Sequence, residues 1–121
     1  MHELSIALSI VEMAEEETQR HGGKVSAIHL KLGALSGVVR DALLSSFEMA
    51  SADTPLEGSR LIIEEVPIVA FCPNCQANRN LNTTQWFCCP DCGMPTPEIL
   101  QGKDLEVVAL EMTDDVRAQA G

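Results

Sequence analysis

The chain has 121 residues and a formal charge of −10, with eighteen acids against eight lysines and arginines. That is the size of one small domain with an attached module, and it offers no cationic patch of the kind from which nucleic-acid binding draws its affinity. Acidic Glu3 and Glu12 stand where a secretory leader carries basic residues, and no apolar run reaches bilayer-spanning length, so a soluble, cytoplasmic chain without membrane insertion is expected. An acidic surface suits basic protein partners, or solubility alone.

From Glu3 to His21, Leu4, Ala7, Leu8, Val11 and Ala14 recur at helical spacing, widened by Ile6, Ile10 and Met13. Glu12, Glu15, Glu16 and Glu17 form the polar side, and Gly22-Gly23 supplies the C-terminal stop. The next stretch, KVSAIHLKLG, alternates as a half-buried strand, with Ile28, Leu30 and Leu32 on one face and Ala27, His29 and Lys31 on the other. GALSG is a turn whose Ser36 is suited to cap a second helix. That helix, about Val39 to Ser51, aligns Leu43, Leu44, Phe47 and Ala50. After the loop ADTPLEG, SRLIIEEVPIV reads as a second strand that Pro67 pushes toward an edge or an end.

The composition then changes. From Phe71 to about Gln101 the chain is rich in Cys, Pro, Asn and Thr and keeps no sustained period. Such a segment needs a staple to fold. DLEVVALEM is a last strand, and the tail from Thr113 is expected to be loose.

Four of the five cysteines form two C-x-x-C pairs, Cys72/Cys75 and Cys89/Cys92, thirteen residues apart. Outside a secretory context this spacing points to metal or redox chemistry, not to a disulfide framework. Each two-residue gap lets a tight turn aim both sulfurs at one ion, and two facing turns close a tetrahedral four-sulfur shell suited to structural Zn²⁺. Iron fits the same shell. A thioredoxin-like dithiol requires a single pair at a helix start, and a catalytic zinc requires an open coordination position, which four thiolates deny. Cys88 could replace Cys89 in a C-x₃-C frame, but C-P-D-C-G is the better knuckle because Gly93 can follow the turn with positive φ. Cys88 is then a spare thiol, packed beside Phe87 or exposed.

Met1-His2 has chelating chemistry of its own. A free α-amine, the His2 amide nitrogen and the His2 imidazole can close a five- and a six-membered ring around one ion, and displacing the amide proton requires Ni²⁺ or Cu²⁺. Glu3 adds a further amide and a carboxylate. The bulk of His2 disfavours removal of Met1, which would keep the amine in place. The plain alternative is a frayed terminus without a ligand. His21 and His29 have structural readings, as a helix C-terminal cation and as a residue on a polar strand face.

MHELSIALSIVE, LKLGALSGV, SFE and the two C-x-x-C pairs after a strand occur in this order over nearly the whole chain, and together they resemble the HypA/HybF family of nickel metallochaperones of nickel-iron hydrogenase maturation. The resemblance implies an exchangeable Ni(II) bound by Met1, His2 and Glu3, and structural Zn(II) bound by Cys72, Cys75, Cys89 and Cys92. It also implies delivery of nickel to the hydrogenase large subunit together with a maturation GTPase. Some relatives also serve urease through its accessory proteins, and a homodimer is a further expected assembly.

The reading is therefore an α+β fold: two helices on a small three-stranded sheet with an inserted zinc-ribbon domain. The nickel-binding domain is placed at residues 1–69 plus 104–113, the zinc ribbon at 70–103, and a flexible tail at 114–121. The chain lacks a nucleophile–base pair and a phosphate loop, so a metal carrier is expected and not an enzyme. Two rival readings are a zinc-ribbon adaptor, disfavoured by acidic charge and few aromatics for stacking, and a rubredoxin-like electron carrier, which requires iron.

Overall fold

The computed structural model describes residues 2–81 and 87–113, with the main chain alone at His2; the segment 114–121, expected to be loose, lies outside the described residues. The element order is α1 (His2–His21), β1 (Lys24–Gly33), α2 (Arg40–Ser51), β2 (Arg60–Val66), β3 (Ile68–Cys72), β4 (Ala77–Leu81), β5 (Glu98–Gln101) and β6 (Leu105–Thr113). One three-stranded sheet has the order β2-β1-β6 and a second has the order β4-β3-β5. The α+β class read from the sequence is the observed one. The chain forms two compact units. One holds the chain up to Leu30, Val38–Ile63 and the chain from Val107 onward; the other holds Lys31–Gly37 and Glu64–Glu106.

In the first unit α1 packs on α2. The buried stripe of α1 is Ala7, Ile10, Val11 and Ala14, while Leu4 and Leu8 are 39% and 48% exposed, contrary to their expected place in the core. Leu8 lies about 100° around the helix from Ala7, and the buried sector is too narrow to include it. Gly22 and Gly23 end α1 with φ of +75° and +87°, and the Gly22 N–H still reaches the Thr18 carbonyl at 2.8 Å. In the last turn Arg20 and His21 both pair with Glu17, at 3.0 and 3.3 Å.

Strand β1 is the centre of its sheet. Val25, Ala27, Ile28 and Leu30 are all buried, so Ala27 belongs to the core and not to the polar face. Helix α2 begins at Arg40 with Val39 as N-cap and no side-chain cap. Ser36 is not the cap: its N–H closes a turn on the Gly33 carbonyl at 3.0 Å, and Gly37 follows with φ of +79° before the helix starts. The loop after α2 is more ordered than its composition suggests. Thr54 Oγ1 donates to the Ser51 carbonyl at 2.6 Å and accepts the Leu56 N–H at 3.1 Å, and Leu56 is fully buried.

The run expected as one strand from Ser59 to Val69 is two strands divided at Pro67. Proline has no N–H to give to a ladder, and the chain leaves one sheet for the other there. Strands β4 and β5 fall where the sequence keeps no period. They are short, and they pair on opposite edges of β3, with Ala70 opposite Arg79 on β4 and opposite Ile99 on β5. Ile68, Ala70 and Leu81 form the core of this second unit, with Leu35 and Ile99 packed against it. The unit extends beyond the 70–103 segment, because Gly33, Ala34 and Leu35 donate their N–H groups to the carbonyls of Asp104, Val66 and Gly102 at 2.9, 3.2 and 2.7 Å.

That lacing has a steric condition at Gly33. A Cβ there would overlap the Gly102 carbonyl and come within 2.9 Å of the Asp104 carbonyl oxygen, both rigid backbone. Gly33→Ala should therefore destabilise the chain by about 1–3 kcal/mol, the usual cost of overpacking. Chemical denaturation followed by circular dichroism reads this out, and an unchanged midpoint would contradict the close approach.

Candidate metal centre

The second unit carries the cysteines at the ends of its strands. Cys72 is the last residue of β3, and its partner Ala77 opens β4, so Cys72-Pro-Asn-Cys75 is the hairpin turn itself. Gln76 closes the turn with φ of +54° and an N–H to the Cys72 carbonyl at 2.7 Å, while the Cys75 N–H donates to the Cys72 Sγ at 3.3 Å. The second knuckle repeats the logic. Gly93 takes φ of +78°, as its position requires, and donates to the Cys89 carbonyl at 2.8 Å. The Cys89 N–H returns to the Met94 carbonyl at 2.8 Å and the Thr96 N–H to the Phe87 carbonyl at 2.7 Å.

The four sulfurs of Cys72, Cys75, Cys89 and Cys92 all lie within 4.8 Å of one another, with Cys72 and Cys92 3.6 Å apart. A tetrahedral zinc with Zn–S bonds of about 2.3 Å has an S···S edge of roughly 3.8 Å, so the four can hold a metal such as zinc without rearrangement of the chain. Cys72 and Cys89 are buried, Cys75 is half-buried, and Cys92 is exposed. Cys88 is exposed, bridges to Pro95 in the backbone and takes no part in the cluster.

The surroundings favour thiolate at the second knuckle. Burial opposes ionisation of Cys89, but the backbone N–H groups of Cys92 and Asp91, with the Arg79 guanidinium, overcome it and hold the thiol at about 6. The Met94 N–H holds Cys92 below the ordinary thiol value. Cys75 is pushed up to about 11 because the Cys92 sulfur shares its proton, with Arg79 opposing. This splitting is what four crowded sulfurs do before an ion replaces their protons. Arg79 was not singled out in the sequence; only its register on β4 reveals it.

Of the expected nickel ligands, Met1 and the His2 imidazole lie outside the described residues. The main chain at His2 already belongs to α1. The Glu3 carboxylate accepts the Val39 N–H at 3.0 Å, and that bond, followed by one from its own N–H, lowers its pKa. It thus holds the N-cap residue of α2, as the back-reaching carboxylate of a capping box does. His29 contacts Glu111 across the sheet, and His21 contacts Glu17; neither belongs to the cysteine cluster. Among the described residues, no helix is long and apolar enough to cross a membrane.

Loss of one sulfur should undo the second unit selectively. Its core is small, whereas structural zinc contributes roughly 10–16 kcal/mol of apparent binding free energy to folding in small zinc modules. Cys72→Ser and Cys92→Ser should therefore lose bound metal and the β4-β3-β5 sheet while α1 and α2 keep their helical signal. Cys88→Ser should retain full metal content. Elemental analysis with circular dichroism checks both, and stoichiometric zinc in Cys92→Ser would exclude that sulfur as a ligand.

Comparison with known proteins agrees with this arrangement over almost the whole chain. The sequence model of the family described as "Hydrogenase/urease nickel incorporation, metallochaperone, hypA" matches residues 1–112. A hydrogenase maturation factor HypA of Roseiflexus sp. (strain RS-1) is 52% identical over 116 residues, covering 95% of this chain and 94% of the relative. One from Chloroflexus aurantiacus is 52% identical over 112 residues, covering 92% and 98%. The solution structure of the Ni metallochaperone HypA from Helicobacter pylori superposes with a TM-score of 0.63 at 21% identity, covering 93% of this chain and 97% of that one, a likeness of fold. The chain belongs to the HypA family of hydrogenase/urease nickel-incorporation metallochaperones.

Proposed function

We propose that this chain is a nickel carrier that binds Ni(II) through Met1, His2 and Glu3 and surrenders it to the nickel-iron hydrogenase large subunit during maturation. The observation that carries the reading is the start of α1 at His2, together with the bond from the Val39 N–H to the Glu3 carboxylate. The first-turn amides of a helix have no carbonyl one turn earlier to bond, so the helix does not claim the His2 and Glu3 nitrogens for its own ladder. The Val39 bond ties Glu3 to the start of α2. An open site of few ligands on such a base holds an ion firmly enough to carry and loosely enough to hand over.

The donor set suits the cargo. Amine, ionised amide and imidazole nitrogens favour ions that accept planar coordination, Ni²⁺ among them. Glu3 contributes chiefly through its amide and its hold on Val39, because its carboxylate would have to leave the Val39 N–H to reach the ion. Cys72, Cys75, Cys89 and Cys92 hold structural Zn(II), which shapes the inserted domain and is not transferred. The work is ligand exchange and not catalysis, in the cytoplasm, with a maturation GTPase as second partner. The relatives' description as hydrogenase maturation factors and the Ni metallochaperone of like fold support this reading over an adaptor or an electron carrier.

His2→Ala should abolish high-affinity nickel binding in a calorimetric titration while zinc content and helical signal stay unchanged; Glu3→Gln should weaken it less, since an amide oxygen can still accept from Val39. Undiminished nickel affinity in His2→Ala would move the site elsewhere. An N-terminal Gly-Ser extension, with every native residue kept, should weaken nickel binding and shift it to higher pH, because one more amide must lose its proton. Identical titrations of extended and native chains would exclude the α-amine as a ligand.

A further inference from the structure

Arg79 occupies a position in the second unit that the packing of β4 does not explain. Directly opposed residues of an antiparallel pair share a face, and the register sets Cys72 opposite Ala77 and Ala70 opposite Arg79. Arg79 therefore stands on the face of the sheet that carries Cys72, diagonal to it. Its cross-strand partner Ala70 has a single methyl group, which leaves room for the arginine stem to lie along the sheet. At the far end, Arg79 Nε meets Asp91 Oδ2 at 3.1 Å, and Asp91 lies inside the second knuckle, between Cys89 and Cys92. The Nε is buried and the contact lacks hydrogen-bond alignment, so it is an ion pair only. Cys89 and Cys75, one sulfur from each knuckle, favour the charged form of the guanidinium, whose Nη1 also approaches the Asn78 carbonyl at 3.5 Å.

Four thiolates on a divalent ion keep a net negative charge, and Asp91 adds to it. Planar guanidinium presents several donors in a fixed fork, and charge-assisted donors to an anionic ligand are about twice as strong as neutral ones. We propose that Arg79 is the outer-sphere cation of the four-cysteine centre: it donates to Cys75 and Cys89 at once, draws electron density from both knuckles and slows loss of the bound metal. Asp91 orients it. The inference rests on the four-thiolate reading of the centre and adds a positioning residue to it.

The test uses the full chain with cobalt(II) in place of zinc. Wild type should show the intense visible bands of a tetrahedral four-thiolate ion; their absence would overturn the ligand set itself, which is a separate failure. In Arg79→Gln those bands should persist, while the sulfur-to-cobalt charge-transfer band moves to lower energy, because thiolates without the cation are better electron donors. Transfer of zinc to a chromogenic chelator should quicken by roughly 10-fold, the lower end of the usual effect of removing an outer-shell partner on metal affinity. Arg79→Lys, which keeps the charge but cannot fork to two sulfurs, should fall between. If Arg79→Gln does not fold, Arg79→Lys carries the test: a partial displacement of the band supports the proposal, and an unmoved band with unchanged transfer overturns it. An unmoved band in Arg79→Gln also overturns it. So does equally fast transfer in Asp91→Asn and Arg79→Gln with the band unmoved in both, since Arg79 would then act only by tying down the knuckle.

Discussion

The second unit depends on four sulfurs brought within one coordination sphere. Ile68, Ala70 and Leu81, with Leu35 and Ile99 beside them, are too few to offset the ordering of a segment this long. Strands β4 and β5 are short and polar, and strand pairing alone stabilises such pieces poorly. A shared ion changes the balance, because its binding free energy enters folding directly. Each feature of the local sequence then has a place: Gln76 and Gly93 take the left-handed backbone that the knuckles need, and backbone N–H groups face the sulfurs where negative charge collects.

The first unit is built on different terms. Its stability comes from apolar burial by α1, β1 and α2, with Leu56 brought in from a loop. Such a core requires no ion, and the exchangeable metal proposed for the head of α1 has no part in holding it together. The separation is chemical as well as spatial in sequence. A closed shell of thiolates retains its ion, whereas a few nitrogen donors at an accessible helix start can exchange theirs. Glu3 links these roles inside the first unit, since the carboxylate nearest the proposed nickel donors also serves the start of α2.

Much of this was legible in the residues. The helical spacing of Ala7, Val11 and Ala14, the strand KVSAIHLKLG, the stop at Gly22-Gly23 and the two C-x-x-C knuckles each express a local rule, and local rules need only neighbouring residues to act. The positive φ expected at Gly93 is of the same kind. Family resemblance, carried by MHE and the cysteine spacing, extended that reading to nickel and is matched over residues 1–112.

What tertiary structure decided is what depends on residues far apart in sequence. Ala27 is buried because β1 is the central strand. Leu8 is exposed because the face that α1 turns to the core is narrow. Ser36 is not the cap because the chain turns back on Gly33 and passes Gly37 at positive φ before the helix starts, with Val39 as N-cap. Strands β4 and β5 exist because β3 lies between them, not because of any period of their own. Arg79 is one basic residue among several until the register sets it on the face of Cys72 and Asp91 meets its Nε. By itself the sequence determined the cysteine knuckles and the helices, whose signals are short in range; pairing and packing decided which neighbours those residues meet.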